Sequence, residues 1–270
     1  ELHTLGVDGG YTQKDVQEVA RAFTGWTIDM PRQGGSFRFE PRIHDNGDKI
    51  VLGVKIPRGG GKKDGEQILD LLARHPSTAR FIATKLARRF VADEPPTALV
   101  DRAAARFRET DGNIREVVRT IITSKEFFAP STHRAKVKTP FEFVVSAVRA
   151  SGVDVRSGQA LVQGVRQLGM PLYMCQPPTG YSDKAEAWVN TGALLNRMNF
   201  ALSLASGGGR FARIAGGSES NASVPVTEQR IAAEVLANDL SPATLQTVAK
   251  ASTEPQKVAL LLGSPDFQKR

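Results

Sequence analysis

A single cysteine, Cys175, stands in a chain of 270 residues, so no disulfide can close within it. The thiol lies in YMCQPP with no His or Asp within six residues, which withholds the base that a nucleophilic cysteine needs. It reads as a small apolar side chain inside the fold. No stretch approaches the ~18 apolar residues of a membrane-spanning helix. Also missing are a G-x-S-x-G elbow, an H-E-x-x-H pair and a C-x-x-C pair. Gly59-Gly60-Gly61-Lys62-Lys63 is glycine-rich and basic, but lacks the first glycine of a phosphate-binding loop and the hydroxyl residue after its lysine. Asp8-Gly9 with Tyr11 and Asp15 imitates part of a calcium loop, yet Thr4 and Gly6 stand where its first two carboxylates belong. The sequence holds no complete catalytic constellation.

What is present is the composition of a soluble globular protein, 40% hydrophobic and 24% charged. The net charge of +8 favours acidic partners such as nucleic acid, an anionic polysaccharide, a membrane surface or an acidic protein. The densest basic stretches hold Arg80, Lys85, Arg88 and Arg89, then His133, Arg134, Lys136 and Lys138. Arg80, Thr84 and Arg88 share one helical face opposite Ile82 and Leu86, the pattern of a solvated surface. Aromatics are not interleaved with these runs as single-strand nucleic-acid binders require.

Leu2, Leu5 and Gly6 read as the end of a helix whose start lies upstream, so the fold is expected to be completed by preceding chain. Thr12 and Asp15 then make a capping box for a helix carrying Val16, Val19, Ala20 and Phe23. Phe37 and Phe39 alternate with charged residues, and Asn46-Gly47 is a turn dipeptide before Lys49-Ile50-Val51-Leu52. From residue 64 the apolar spacing is almost wholly helical, with Thr139-Pro140 a clear start and Gly152 a clear stop. The longest helix spans residues 184–206, with Trp188, Leu195, Met198 and Leu202 along one side. The expected fold is mainly α, a multi-helix globular bundle with one small β-hairpin excursion near residues 36–52. Residues 1–206 are expected to form a helical domain with the hairpin insertion at 27–62. Residues 207–226 read as a flexible loop or linker, and 227–270 as short helices packing on the same body. Residues 92–128 also echo residues 237–268. Each is a Pro-led helix, a turn, an apolar helix and then Ser-x-(Glu/Asp)-Phe.

Two groups of residues carry candidate chemistry. His44, Asp45 and Asp48 surround a tight turn and could hold a divalent metal or perform acid–base work, with His3 as a further partner. Tyr181, Trp188, Asn190 and Arg197 could line a carbohydrate or anion pocket, because Asn190 and Arg197 project from one helical face two turns apart.

Six ordered segments resemble a bacterial family known as domain of unknown function 1800. They are ELHTLGVDGGYTQKDVQEVARAFTGW (1–26), F-x-F…HD-x-G-x-K-x-x-LG (37–53) and HPSTARFIATKLARRFV (75–91). VKTPFEFVVSAVRASG (137–152), PPTGYSDKAEAWVNTGALLNRMNFA (177–201) and LLGSPDFQ (261–268) complete the set. The resemblance implies a periplasmic or secreted protein whose upstream half carries a Trp-His-x-His-type motif. It implies a neighbouring exported family, domain of unknown function 1501, similar to sulfatase- and phosphatase-type hydrolases. No catalytic role comes with it, so Trp26, His44, Asp45, Gly180, Trp188, Asn190 and Arg197 enter as candidates by position.

The leading expectation is an exported accessory or binding protein. Its basic surface and the Tyr181/Trp188 region would contact an anionic polymer or a co-encoded exported partner. The competing one is a metal-assisted hydrolase whose site is shared between His44/Asp45 and the upstream histidine motif, which belongs to the N-terminal half of the same protein.

Overall fold

The computed structural model describes residues 2–152, 155, 158–206 and 227–270, and the chain is mainly α-helical. It divides into two units, one of residues 1–90 with 95–127 and one of residues 91–94 with 128–270.

In the first unit, α1 (Gln13–Ala22) opens on the expected reciprocal cap. The Asp15 N–H donates to Thr12 Oγ1 at 3.3 Å, and the Thr12 N–H donates to Asp15 Oδ2 at 2.8 Å. Four short strands follow: β1 (Trp26–Asp29), β2 (Ser36–Phe39), β3 (Lys49–Val51) and β4 (Val54–Ile56). They make two separate antiparallel hairpins, which corrects the single hairpin expected near 36–52 in its detail. Phe37 and Phe39 pair backwards with Ile28 and Trp26 rather than forwards with residues 49–52. β3 reverses on Leu52-Gly53, both at positive φ (49° and 79°), as a two-residue hairpin turn requires. Asn46-Gly47 serves instead in an Asx turn, where the Gly47 N–H donates to Asp45 Oδ1 at 2.9 Å.

The helices α2 (Lys62–Arg74), α3 (Pro76–Phe90), α4 (Thr97–Glu109) and α5 (Ile114–Ile122) complete this unit. Ala79, Ala83 and Ala87 recur every four residues along α3 and are fully buried. Such a row of small side chains lets α4 pack closely with Leu99, Val100 and Ala103.

The second unit contains α6 (Pro140–Ser151), α7 (Gln159–Gln167) and α8 (Thr191–Ala205). After them come α9 (Glu228–Arg230), which runs on as a π-helical turn over Ile231–Val235, then α10 (Pro242–Ala249), α11 (Glu254–Leu262) and α12 (Pro265–Gln268). Thr139 and Glu142 form the reciprocal cap of α6, and Gly152 ends it in the left-handed conformation. One core joins Phe143 and Val144 of α6 and Phe200 and Leu204 of α8 to Ile231, Leu261 and Phe267. α6 and α8 thus share their apolar faces with the C-terminal helices, within the unit that holds residues 128–270. The expected linker, 207–226, lies outside the described residues.

The inward face of α8 also differs from its expected stripe. Leu195 and Leu202 are exposed, while Arg197, Phe200, Ala201 and Leu204 are buried. The sequence echo is real in structure, with one copy in each unit. The Phe127 and Phe267 N–H groups each donate to the serine three residues earlier, Ser124 and Ser264, at 3.2 Å. The acid between them reaches back to the first helix of its hairpin. Glu126 accepts from Arg102 at 2.7 Å, and Asp266 accepts from the Ser241 N–H at 2.9 Å.

Candidate functional site

His44 ends a short 3-10 turn over Pro41–Ile43, and its ring points inward under the first hairpin. His44 Nδ1 lies 2.8 Å from the Thr24 carbonyl, which can only accept, so this nitrogen carries the proton. On the other side of the ring, Nε2 lies 3.2 Å from Asp64 Oδ2. The ring thus bridges the Thr24 carbonyl and the Asp64 carboxylate. Lys49 Nζ donates to the same carboxylate oxygen at 2.8 Å and to the Asp45 and Gly47 carbonyls at 2.5 and 2.9 Å. None of the three side chains is more than 1% exposed.

The glycines before α2 make room for this buried carboxylate. A Cβ on Gly60 would stand 2.0 Å from Asp64 Oδ1, so no larger residue fits there. Within Gly59-Gly60-Gly61 it is therefore Gly60 that makes room for a protein carboxylate. A Cβ on Gly65 would meet the Trp26 indole at 2.6 Å. Trp26 is wedged edge-on between Phe23 and Phe37, with ring centroids 4.9 and 5.0 Å away. Among the described residues, buried Asp64 Oδ1 and Trp26 Nε1 have no hydrogen-bond partner.

The metal candidates His44, Asp45 and Asp48 do not converge. Asp45 binds Arg21 through both oxygens, at 2.8 Å to Nε and 3.1 Å to Nη2. That guanidinium and the Gly47 N–H hold the Asp45 carboxyl well below the usual carboxylate range. Asp48 faces Lys55 at 3.0 Å and accepts from the Arg58 N–H at 2.8 Å, which lowers it too. His3 stands exposed in the N-terminal turn. Among the described residues, no group of three or more His, Cys, Asp or Glu side chains is placed to hold a metal ion. The residues present do not fit a preformed metal centre. Each is engaged by a cation or a backbone group, and the arrangement acts as a lock between α1, the 40–48 loop and α2.

Asp64, Lys49, Arg21 and Thr24 belong to this lock and were not singled out from the sequence. Lys49 was detectable in principle, because it stands in phase with buried Val51 while Ile50 points outward.

In the second unit, the expected ligand residues fasten a loop. The Tyr181 hydroxyl donates to the Pro171 carbonyl at 2.6 Å, and Trp188 Nε1 donates to the Ser182 carbonyl at 2.9 Å. Trp188 is buried, with its ring centroid 6.0 Å from that of Tyr181. Asn190 caps α8 by accepting from the Ala193 N–H at 2.9 Å. Arg197 is 1% exposed and donates to Gln268 Oε1 at 3.1 Å and the Lys138 carbonyl at 2.9 Å. Burial pushes its guanidinium down to about 10. Cys175 is a half-buried free thiol in the same loop.

The sequence profile of the protein of unknown function DUF1800 matches residues 1–269. The chain belongs to the DUF1800 family. No curated protein and no solved structure matches it. The structure gives physical content to DUF1800 segments quoted above. The HD-x-G-x-K run supplies His44, Asp45, Gly47 and Lys49 of the lock, and the PPTGYSD…NRMNFA run supplies the Tyr181–Trp188 clasp and Arg197.

Proposed function

We propose that this DUF1800 chain is a binding module for an anionic polymer, met by the first hairpin and the basic loops tied to it. The supporting observation is the hairpin's outer surface. Ile28, Met30 and Phe37 are 62, 62 and 53% exposed. Arg32, Arg42, Arg58 and Lys63 are exposed nearby in sequence, and none makes an ion pair with a described residue. The segments that bear them are fastened to one another. The Gly59 N–H donates to the Asn46 carbonyl at 3.1 Å, Phe39 lies beside Gly61, and Lys62 Nζ sits 5.5 Å from the Phe37 ring centre. Guanidinium forks bind carboxylates, while aromatic and aliphatic faces suit the C–H side of sugar rings. The His44–Lys49–Asp64 cluster beneath is closed to solvent and supplies rigidity rather than chemistry.

The test is retention on immobilised polygalacturonate at low salt. Arg32→Glu/Arg42→Glu/Arg58→Glu should bind at least about tenfold more weakly with its melting temperature unchanged, and retention should fall steeply with salt. Equal retention of the variant, or no retention of the wild type, overturns the proposal. Retention by the co-encoded exported partner alone would transfer the surface from polymer to protein. Placement outside the cytoplasm rests on the family resemblance, and fractionation of cells carrying the native gene tests it.

A further inference from the structure

We infer that the groove between α7 and α8 is a binding site for a neutral saccharide, a site separate in residues and chemistry from the surface proposed above. The cavity is about 570 Å³, within the ~300–1,000 Å³ of small-ligand pockets. Its polar lining is Gln163 and Gln167 from α7 with Asn196, Asn199 and Ser203 from α8. The spacing is four residues on one helix and three then four on the other, so each set forms a stripe along its helix. Every amide and the hydroxyl is without a side-chain hydrogen bond to another described residue.

The floor is apolar. Gly164, Leu168 and Phe200 line it, and all three are buried. The helices meet closely there, because a Cβ on Gly164 would come 2.9 Å from Phe200 Cε2. Among the described residues, no Lys, Arg, Asp or Glu lines the groove, although a quarter of the chain is charged. Amides donate and accept side by side, as sugar hydroxyls do, whereas a charged ligand would find no counter-ion. An apolar floor under a rim of amides suits a sugar ring, which has a C–H face and a hydroxyl edge.

The experiment titrates the protein with maltohexaose, cellohexaose and chitopentaose, following binding by calorimetry and by amide NMR shifts. At least one should bind saturably. Asn196→Ala/Asn199→Ala and Gln163→Ala/Gln167→Ala should each weaken it by about tenfold, since each removes two hydrogen-bonding groups. These side chains are exposed, so the variants should melt as the wild type does. Binding should persist in high salt and in the Arg32→Glu/Arg42→Glu/Arg58→Glu variant, which separates this site from the basic hairpin. The inference is overturned if none of the three sugars binds, if both amide variants bind as the wild type does, or if salt abolishes the interaction.

Discussion

Lys49 Nζ donates to Asp64 Oδ2 at 2.8 Å with neither side chain reaching solvent, and His44 Nε2 meets that same oxygen at 3.2 Å. Two nitrogen groups, an ammonium and an imidazole, thus converge on one buried oxygen of an acid at the start of α2. The net worth of such a cluster against an apolar filling is small, because each charge has left water. What it fixes is geometry. A backbone shift in the 40–48 loop or in α2 would strand a charge, so those segments keep one arrangement.

Removing one partner should therefore cost far more than removing both. Lys49→Met leaves Asp64 facing His44 alone and frees the Asp45 and Gly47 carbonyls, and should lower the stability of the first unit by about 3–5 kcal/mol. Lys49→Met/Asp64→Leu removes both charges of the pair and should recover much of that loss. The chain has two tryptophans, Trp26 in the first unit and Trp188 in the second. Urea unfolding read by Trp26 emission in a Trp188→Phe background checks the cycle. Additive losses would mean that the two side chains do not act together.

Gly65 gives a second test, in which two effects oppose. Alanine within a helix is worth about 1 kcal/mol over glycine. Its Cβ, however, would press on the Trp26 indole at 2.6 Å, and overpacking costs about 1–3 kcal/mol. Trp26 is held between Phe23 and Phe37, so the ring cannot swing aside without disturbing the hairpin. Gly65→Ala should be net destabilising by about 1 kcal/mol with a shifted Trp26 emission maximum. A more stable variant with an unmoved spectrum would show that the indole yields freely.

The parts of this fold that were legible in the sequence are those written locally. Thr12–Asp15 and Thr139–Glu142 announce their helices through neighbours three residues apart, and both boxes form. The lock was illegible for the opposite reason, since its members lie up to 43 residues apart, from Arg21 to Asp64. Lys49 resembles any solvated strand lysine until the distant Asp64 is placed opposite it. The hairpins show the same limit. Phe37 and Phe39 advertise a strand, but their pairing depended on Trp26 and Ile28, which precede a six-residue loop. Along α8, Leu195 and Leu202 looked inward because they are apolar, while the position facing the core is filled by Arg197, which α6 and α12 satisfy.

Arg197 accordingly belongs to the scaffold of the second unit. Arg197→Ala would leave Gln268 Oε1 and the Lys138 carbonyl without a donor and open space beside Phe143, whose ring centre lies 5.3 Å from the guanidinium carbon. Unmet buried acceptors cost about 1–3 kcal/mol each, so a loss of at least about 2 kcal/mol is expected. Trp188 emission in a Trp26→Phe background measures it. A variant of wild-type stability would return Arg197 to the list of ligand-binding candidates.

Lys138 makes the stability of the second unit depend on pH with an unusual sign. Its ammonium donates to the Phe267 carbonyl at 2.6 Å and lies 3.9 Å from the Phe267 ring centre. Burial pushes it down to about 8, with Arg134, Arg197 and Arg270 adding to the effect and Glu142 opposing it. In the unfolded chain a lysine holds its proton to about 10.4. Between these two values the unfolded state binds more protons than the folded one, so stability rises with pH. The burial penalty is fully present below about 8 and is relieved as pH climbs towards about 10.4. The first unit should show a slope of the same sign at the acid end, there from a group that stabilises when charged. Asp45 is held low by Arg21, so its contribution is present above the ordinary carboxylate range and is lost as pH falls through the lowered value. Thermal melts across the alkaline range, read by Trp188, should therefore move upward with pH in the wild type. Between about 8 and 9, below the range where Arg197 at about 10 loses its proton, the slope should largely vanish in Lys138→Met, which fills the same space without a charge. An unchanged slope in that variant would assign the proton to another group of the second unit.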